Sequence, residues 1–167
     1  MEKEITEVYC GNGRGKITLA IGQALRASSQ GKSVIIIQFL KGNERRELDF
    51  LEELDQLDIK IFRFEKMETC YDQLNEEEQA EEERNILNGL NFARKVIATQ
   101  ECDFLVLDEI LGLLDKHIAT VDMVVGLLKQ KDESMHLILT GNRVDPGILD
   151  YVDSVTTITT LGREQNS

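Results

Sequence analysis

The chain has 167 residues, 41% of them hydrophobic, 30% charged and 5% aromatic, which is one domain's worth of protein with enough apolar material for a packed core and excludes a disordered linker. Nineteen basic residues against 31 acidic ones leave a net charge of −12, a balance that excludes general binding to nucleic acid or anionic membrane but leaves room for a local basic pocket around a small anion. No apolar run nears the ~20 residues of a bilayer span, and Met1-Glu2-Lys3-Glu4-Ile5 carries acid where a secretory signal carries bases, so the expectation is a cytoplasmic protein with one domain over 1–161 and a frayed tail over 162–167.

The first expected strand, Ile5–Tyr9, runs into Gly11-Asn12-Gly13-Arg14-Gly15-Lys16-Ile17-Thr18, with a helix expected over 15–29. A glycine-rich turn between a strand and a helix lets backbone N–H groups converge on phosphate oxygens. Glycine is needed there because a side chain would block the approach or forbid the backbone angles. Lys16 supplies a point charge to the phosphates, and the hydroxyl that usually follows it binds Mg²⁺. Against the pattern G-x-x-x-x-G-K-[ST], Cys10 stands in the place of the first glycine and Ile17 in the place of the hydroxyl; Thr18 comes one residue later.

The second strand, Ser33–Phe39, ends in Gln38-Phe39-Leu40-Lys41-Gly42, and a helix is expected near 44–56 before the third strand, Ile59–Arg63. A long helix over 75–99 opens with Asn75 and Glu78 in capping-box spacing. Its acidic first turn suits the helix dipole and reads as a solvated start rather than a docking site. The fourth strand, Phe104–Leu107, delivers Asp108 and Glu109 at its end. Such a carboxylate pair suits a nucleotide-bound Mg²⁺, although acids also cap helices after strands. After a helix over 120–131 comes the fifth strand, His136–Thr140, followed by Gly141-Asn142-Arg143. Asp145-Pro146 opens a last helix over 146–152, and Ser154–Ile158 is the sixth strand.

Runs such as Val34-Ile35-Ile36-Ile37 and Phe104-Leu105-Val106-Leu107 are apolar at every position, as in strands covered on both faces. Strand–helix alternation then implies an α/β fold, a doubly wound, mainly parallel sheet of about six strands with helices on both sides. Ligands of such sheets bind beyond the carboxyl ends of the strands. There the order of the chain gathers Lys16, Lys41, Asp108, Glu109 and Arg143, an anion pocket in an acidic protein. Cys10, Cys70 and Cys102 are far apart and read as reduced thiols, Cys10 and Cys102 as buried small hydrophobes. His117 and His136 have no partners spaced for a metal.

Gly-Asn-Gly-Arg-Gly-Lys with Ala24-Leu25-Arg26-Ala27, then Gln38-Phe39-Leu40-Lys41-Gly42, Val106-Leu107-Asp108-Glu109, Thr140-Gly141 and Ile148-Leu149-Asp150-Tyr151-Val152-Asp153-Ser154-Val155 together resemble the P-loop type of ATP:corrinoid adenosyltransferase, over about residues 5–158. The resemblance implies a RecA-like P-loop domain, usually a homodimer, that transfers the 5′-deoxyadenosyl group of ATP to the reduced cobalt of a corrinoid and releases triphosphate. By position it implies that Gly11, Asn12, Gly13, Arg14, Gly15 and Lys16 hold the triphosphate and that Arg26 contacts the nucleotide; the placement of the residues along the chain adds Ile17, Thr18, Lys41 and Arg143 to the expected ATP site. Lys16 and Glu109 are then the catalytic residues, and Asp108, Glu109 and Thr18 the Mg²⁺ ligands. The family usually places a Phe/Trp pair over the corrin after the third strand. Tyr71 and Met67 are the nearest substitutes in this tryptophan-free chain. A flavoprotein reductase would supply the electrons. Two alternatives are a diverged module that binds ATP or corrinoid without chemistry, and a generic P-loop ATPase.

Overall fold

Successive side chains of a strand point to opposite sides, and in runs such as Val34–Ile37 and Phe104–Leu107 both sides are apolar, so those strands must be covered twice. The computed structural model describes residues 3–40, 48–65 and 69–162. Along them lie β1 (Thr6–Cys10), α1 (Lys16–Ser29), β2 (Val34–Gln38), α2 (Asp49–Glu52), β3 (Ile59–Arg63), a single 3₁₀ turn (Tyr71–Gln73), α3 (Glu76–Thr99), β4 (Phe104–Asp108), α4 (Ile110–Asp115), α5 (Val121–Gln130), β5 (His136–Thr140), α6 (Pro146–Leu149) and β6 (Ser154–Thr157). The strands form one sheet in the order β3-β2-β4-β5-β1-β6, and every neighbouring pair is parallel.

The alternation sorts strand residues into two cores. Val8, Ile35, Ile37, Leu105, Leu107, Leu137 and Leu139 pack with Ile86, Leu90 and Val96 of α3, Ile110 of α4 and Val124 of α5. Tyr9, Val34, Ile36, Phe104, Val106 and Ile138 pack on the other side against Ala20, Ala24 and Ala27 of α1 and Leu48 and Leu51 beside and within α2. Alanines on α1 let that helix lie close to the sheet. The capping box of α3 forms as expected: the Glu78 amide donates to Asn75 Oδ1 at 2.9 Å, and the Asn75 amide donates to Glu78 Oε2 at 3.0 Å.

All six expected strands are present, with ends shifted by no more than one residue. The helices depart more. The one expected near 44–56 is a single turn at 49–52 among the described residues, since 41–47 lie outside them, and the one expected over 146–152 ends at Leu149. The sequence pattern does not predict α4. Glu109 takes a left-handed conformation, φ 64°, and turns the chain from β4 straight into a six-residue helix too short to show a period.

Gly89 sits on α3 where a Cβ would stand 2.8 Å from Phe64 Cγ and 2.9 Å from Phe39 Cε1. These are ring atoms in a packed aromatic group, with Phe62 and Phe64 both against Phe92 at centroid distances of 4.6 and 5.5 Å. Overpacking therefore outweighs the gain in helix propensity. Gly89→Ala is expected to lose about 1–2 kcal/mol of stability in urea unfolding; an unchanged or raised midpoint would show that the rings yield freely.

Candidate active site

β5 lies between β1 and β4 in the sheet, so the glycine loop after β1 and the carboxylates after β4 stand about 10 Å apart, two strand spacings. Gly15 precedes α1 in a left-handed conformation, φ 97°, with no side chain capping the helix. The amides of Lys16, Ile17 and Thr18 thus begin a fourteen-residue helix without intrahelical acceptors, the arrangement that receives an anion. No acidic residue occupies that first turn.

The glycines of the loop have different reasons. A Cβ on Gly11 would lie 2.3 Å, and one on Gly13 2.6 Å, from the backbone oxygen of Ile158. Gly11 (φ 112°) and Gly13 are therefore already required by the chain's own segment beyond β6. At Gly15 no described atom lies within 4 Å of an added Cβ; its positive φ and open surroundings are what the ligand side needs. Of the three glycines expected to admit phosphate, Gly15 alone has the surroundings for it. The Cys10 side chain, in the place of the missing first glycine, is buried with Sγ 3.7 Å from Thr157 Oγ1.

Lys16 Nζ donates to the Gly11 carbonyl at 2.7 Å and to Asn142 Oδ1 at 2.8 Å, and the Gly11 amide donates to the Asn142 carbonyl at 2.8 Å. Asn142, less conspicuous in the sequence than its neighbour Arg143, ties the ammonium to the end of β5. Two residues earlier, Thr140 Oγ1 donates to Asp108 Oδ1 at 2.7 Å and accepts from the Glu109 amide at 2.8 Å. Gln38 Nε2 donates to Asp108 Oδ2 at 3.3 Å, and Arg63 Nε donates to Gln38 Oε1 at 3.1 Å. A line of polar side chains so runs along the carboxyl edge from β3 to β5. Asp108 is 1% exposed and held within this line, whereas Glu109 is half-buried, its Oε2 lying 3.2 Å from where a Gly112 Cβ would be. The signal that could have marked Gln38, Thr140 and Asn142 is their place as polar residues ending or following apolar strands.

Other expected residues are placed less favourably. Ile17 packs against the α1 side of the core, and Thr18 is exposed on the first turn of α1. Asn12 and Arg14 are exposed on the loop. Arg26 is not at this edge: α1 runs back along the sheet, so Arg26 lies about 15 Å from the loop and lines a cleft with Gln23, Lys32, Phe104 and His136 at the amino ends of β4 and β5. Arg143 reaches the carboxyl edge but turns to Asp115, Nε to Oδ1 2.7 Å, which raises its pKa. The two border a cleft of about 260 Å³ with Leu111, His117 and Val121. The Tyr71 hydroxyl donates to Glu83, its ring lies 5.8 Å from the Lys116 ammonium, and Lys116 pairs with Asp72 at 2.6 Å. Burial and Glu83 push the Tyr71 phenol up to about 12. Lys41 and Met67 lie outside the described residues. Cys10 and Cys102 are buried as expected, and burial raises the Cys102 thiol to about 12.

Thr140→Val removes the hydroxyl from a buried carboxylate and a backbone amide at once, and is expected to cost about 1–3 kcal/mol in thermal or urea unfolding. Thr140→Ser should keep most of that stability. Equal stability of the valine variant would show that neither contact matters.

Residues 2–165 match the family model described as ATP:corrinoid adenosyltransferase BtuR/CobO/CobP. The corrinoid adenosyltransferase of Escherichia coli K12 is 30% identical over 160 residues, 93% of this chain and 76% of that protein. Corrinoid adenosyltransferase CobA of Salmonella typhimurium LT2 is 28% identical over 158 residues, again 93% and 76%. Among solved structures, a KaiC-like protein, PH0186, from Pyrococcus horikoshii OT3 superposes with a TM-score of 0.60 at 17% identity, covering 93% of this chain and 71% of that one; this likeness bears on the fold alone, an α/β RecA-like P-loop domain. With a glycine-rich loop and a carboxylate pair on strand ends flanking β5, and a match over nearly its whole length, the chain belongs to the ATP:corrinoid adenosyltransferase family, transferases whose substrates are ATP and a corrinoid.

Proposed function

We propose that the protein transfers the 5′-deoxyadenosyl group of ATP to the reduced cobalt of a corrinoid, with triphosphate as the other product. The observation that carries this reading is the open amino end of α1 beside Lys16, facing across β5 to Glu109, in a chain of this family. The reduced cobalt of the substrate is itself the nucleophile toward the ribose 5′-carbon, so the protein need supply no strong base. Its work is to hold the triphosphate and stabilise the charge that collects on it. The amides of Lys16, Ile17 and Thr18 and the Lys16 ammonium do this, the ammonium exchanging the Gly11 and Asn142 oxygens for phosphate oxygens. Asn142 keeps the lysine over the loop until then.

The donor set fits a Mg²⁺ that arrives with the nucleotide. Mg²⁺ sites of this kind use one or two carboxylates plus substrate phosphates, and among the described residues no group of three His, Cys, Asp or Glu stands together. Glu109 is the residue to hold it, and Asp108, fixed by Thr140 and Gln38, orients the strand end that carries Glu109. Bound there, the ion neutralises charge on the leaving triphosphate. With Ile17 packed against the core, Thr18 is the nearest hydroxyl on the helix. Tyr71 and Met67 are proposed to border the corrinoid, Tyr71 as a neutral phenol anchored on α3, and Lys41 to add charge to the triphosphate pocket. Arg143 would join only on release from Asp115. Arg26 stands outside the site of its own chain.

Family membership does not favour the non-catalytic module or the generic ATPase. The resemblance also supports a homodimer, a flavoprotein reductase as electron donor and a cytoplasmic setting; no helix among the described residues is long and apolar enough to cross a membrane.

The test is an anaerobic spectrophotometric assay with chemically reduced cobalamin, Mg²⁺ and ATP. Loss of the cob(I) band should accompany adenosylcobalamin and triphosphate in equal amounts. Lys16→Ala should lower kcat about 10²- to 10³-fold. Full turnover in that variant would show that Lys16 does not stabilise the leaving triphosphate, and release of ADP and phosphate without corrinoid would instead make the protein an ATPase.

A further inference from the structure

Past β6 the chain stays on the glycine loop. The Ile158 amide donates to the Cys10 carbonyl at 2.8 Å, the Gly13 amide donates to the Ile158 carbonyl at 2.8 Å, and the Arg14 amide donates to Thr160 Oγ1 at 2.8 Å. We infer that residues 158–160 are a strap that sets the shape of the phosphate loop, and that Thr160 is a positioning residue for triphosphate binding. The inference rests on reading the loop as the triphosphate site.

Three features carry it. The Ile158 backbone fills the space that side chains at positions 11 and 13 would need, so loop and strap fit each other as two backbones in contact. The amides of Gly11, Gly13 and Arg14 are all taken up within the protein, by Asn142, Ile158 and Thr160. These three contacts hold the first half of the loop as a frame, and the helix end from Gly15 onward is open to the anion. Finally, Thr160 is exposed and outside both hydrophobic cores. Its contact with Arg14 is its contribution, a hydrogen bond at the turn that leads into Gly15. Holding that turn in the binding shape lowers the ordering that a ligand must bring about.

The consequence is a defined loss without unfolding. A hydrogen bond of ordinary net strength corresponds to about a three- to tenfold change in binding. Affinities of the full chain for tripolyphosphate and for ATP are measured by titration calorimetry for the wild type, Thr160→Val, Thr160→Ser and the control Thr156→Val, which alters an exposed residue of β6 away from the loop. Thr160→Val should weaken both ligands about three- to tenfold. Thr160→Ser should stay within about twofold of the wild type, as should Thr156→Val, and the melting temperature should hold. In the coupled assay the KM for ATP should rise in Thr160→Val while kcat and the KM for corrinoid remain. Unchanged affinity in Thr160→Val, an equal loss in Thr160→Ser or Thr156→Val, or a wild type that binds no tripolyphosphate would overturn the strap. Tighter binding in Thr160→Val would overturn it too, by showing that the hydroxyl competes with phosphate for the Arg14 amide. If the expected pattern of affinities is found but no adenosylated corrinoid forms, the strap stands and the adenosyl transfer falls.

Discussion

The carboxyl edge of the sheet depends on the hydroxyl of Thr140. It gives its proton to Asp108 and takes the amide proton of Glu109, so a single oxygen fixes where β4 ends and how α4 begins. An aspartate 1% exposed is costly unless its lone pairs are satisfied, and Gln38 satisfies the other oxygen from the opposite side. Strand order makes this possible. Because β5 separates β1 from β4, its end is placed to reach both, Thr140 to the carboxylates and Asn142 to Lys16.

The sheet explains why the chemistry is confined to that edge. Its central strands β2, β4 and β5 are apolar on both faces and sealed by two cores, so their polar side chains stand at the strand ends. At the amino edge they form another set, with His136 between Glu4 at 3.2 Å and Glu7 at 2.7 Å, Lys32 on Glu4 at 2.5 Å, and the His136 ring stacked on Phe104 at 4.7 Å. These charges are paired with one another. At the carboxyl edge the helix end before Lys16 carries no acid and no side-chain cap. In a chain of net charge −12, this acid-free helix end is suited to receive a polyanion.

How much of this is legible in the sequence follows from the range over which each residue acts. The strands are, because a run such as Val34–Ile37 states its own burial, and so is the presence of the glycine loop, although its shape is held by the distant Asn142, Ile158 and Thr160. The capping box at Asn75 is likewise local. Arg26 lies away from the loop because sequence gives position on a helix but not which end of the sheet that helix reaches; ten residues of α1 carry it to the amino edge of its own chain. α4 is hidden because its first turn depends on one left-handed residue, Glu109, and its six residues are too few for a period. Asn142 and Thr160 lie 126 and 146 residues from the groups they bind, Lys16 and Arg14. No local pattern announces such pairings; they exist only once β1 stands between β5 and β6.

The altered loop is then less of a paradox. In the usual pattern the first glycine relieves crowding where the loop leaves its strand, and the hydroxyl after the lysine holds the metal. In this protein Cys10 turns into the space beside Thr157 and is buried there, which is possible because β6 is paired to β1 along Glu7–Cys10. Ile17, half-buried on the first turn of α1, packs against the core on that side of the sheet. Both departures exchange a loop-local function for packing against neighbouring elements. What remains for the proposed triphosphate site is the part that packing cannot replace: the helix amides without intrahelical acceptors, a lysine held by Asn142, and Glu109 on the other side of β5. A reaction whose nucleophile is the cobalt of the substrate asks for little more from the protein than a place where triphosphate can leave.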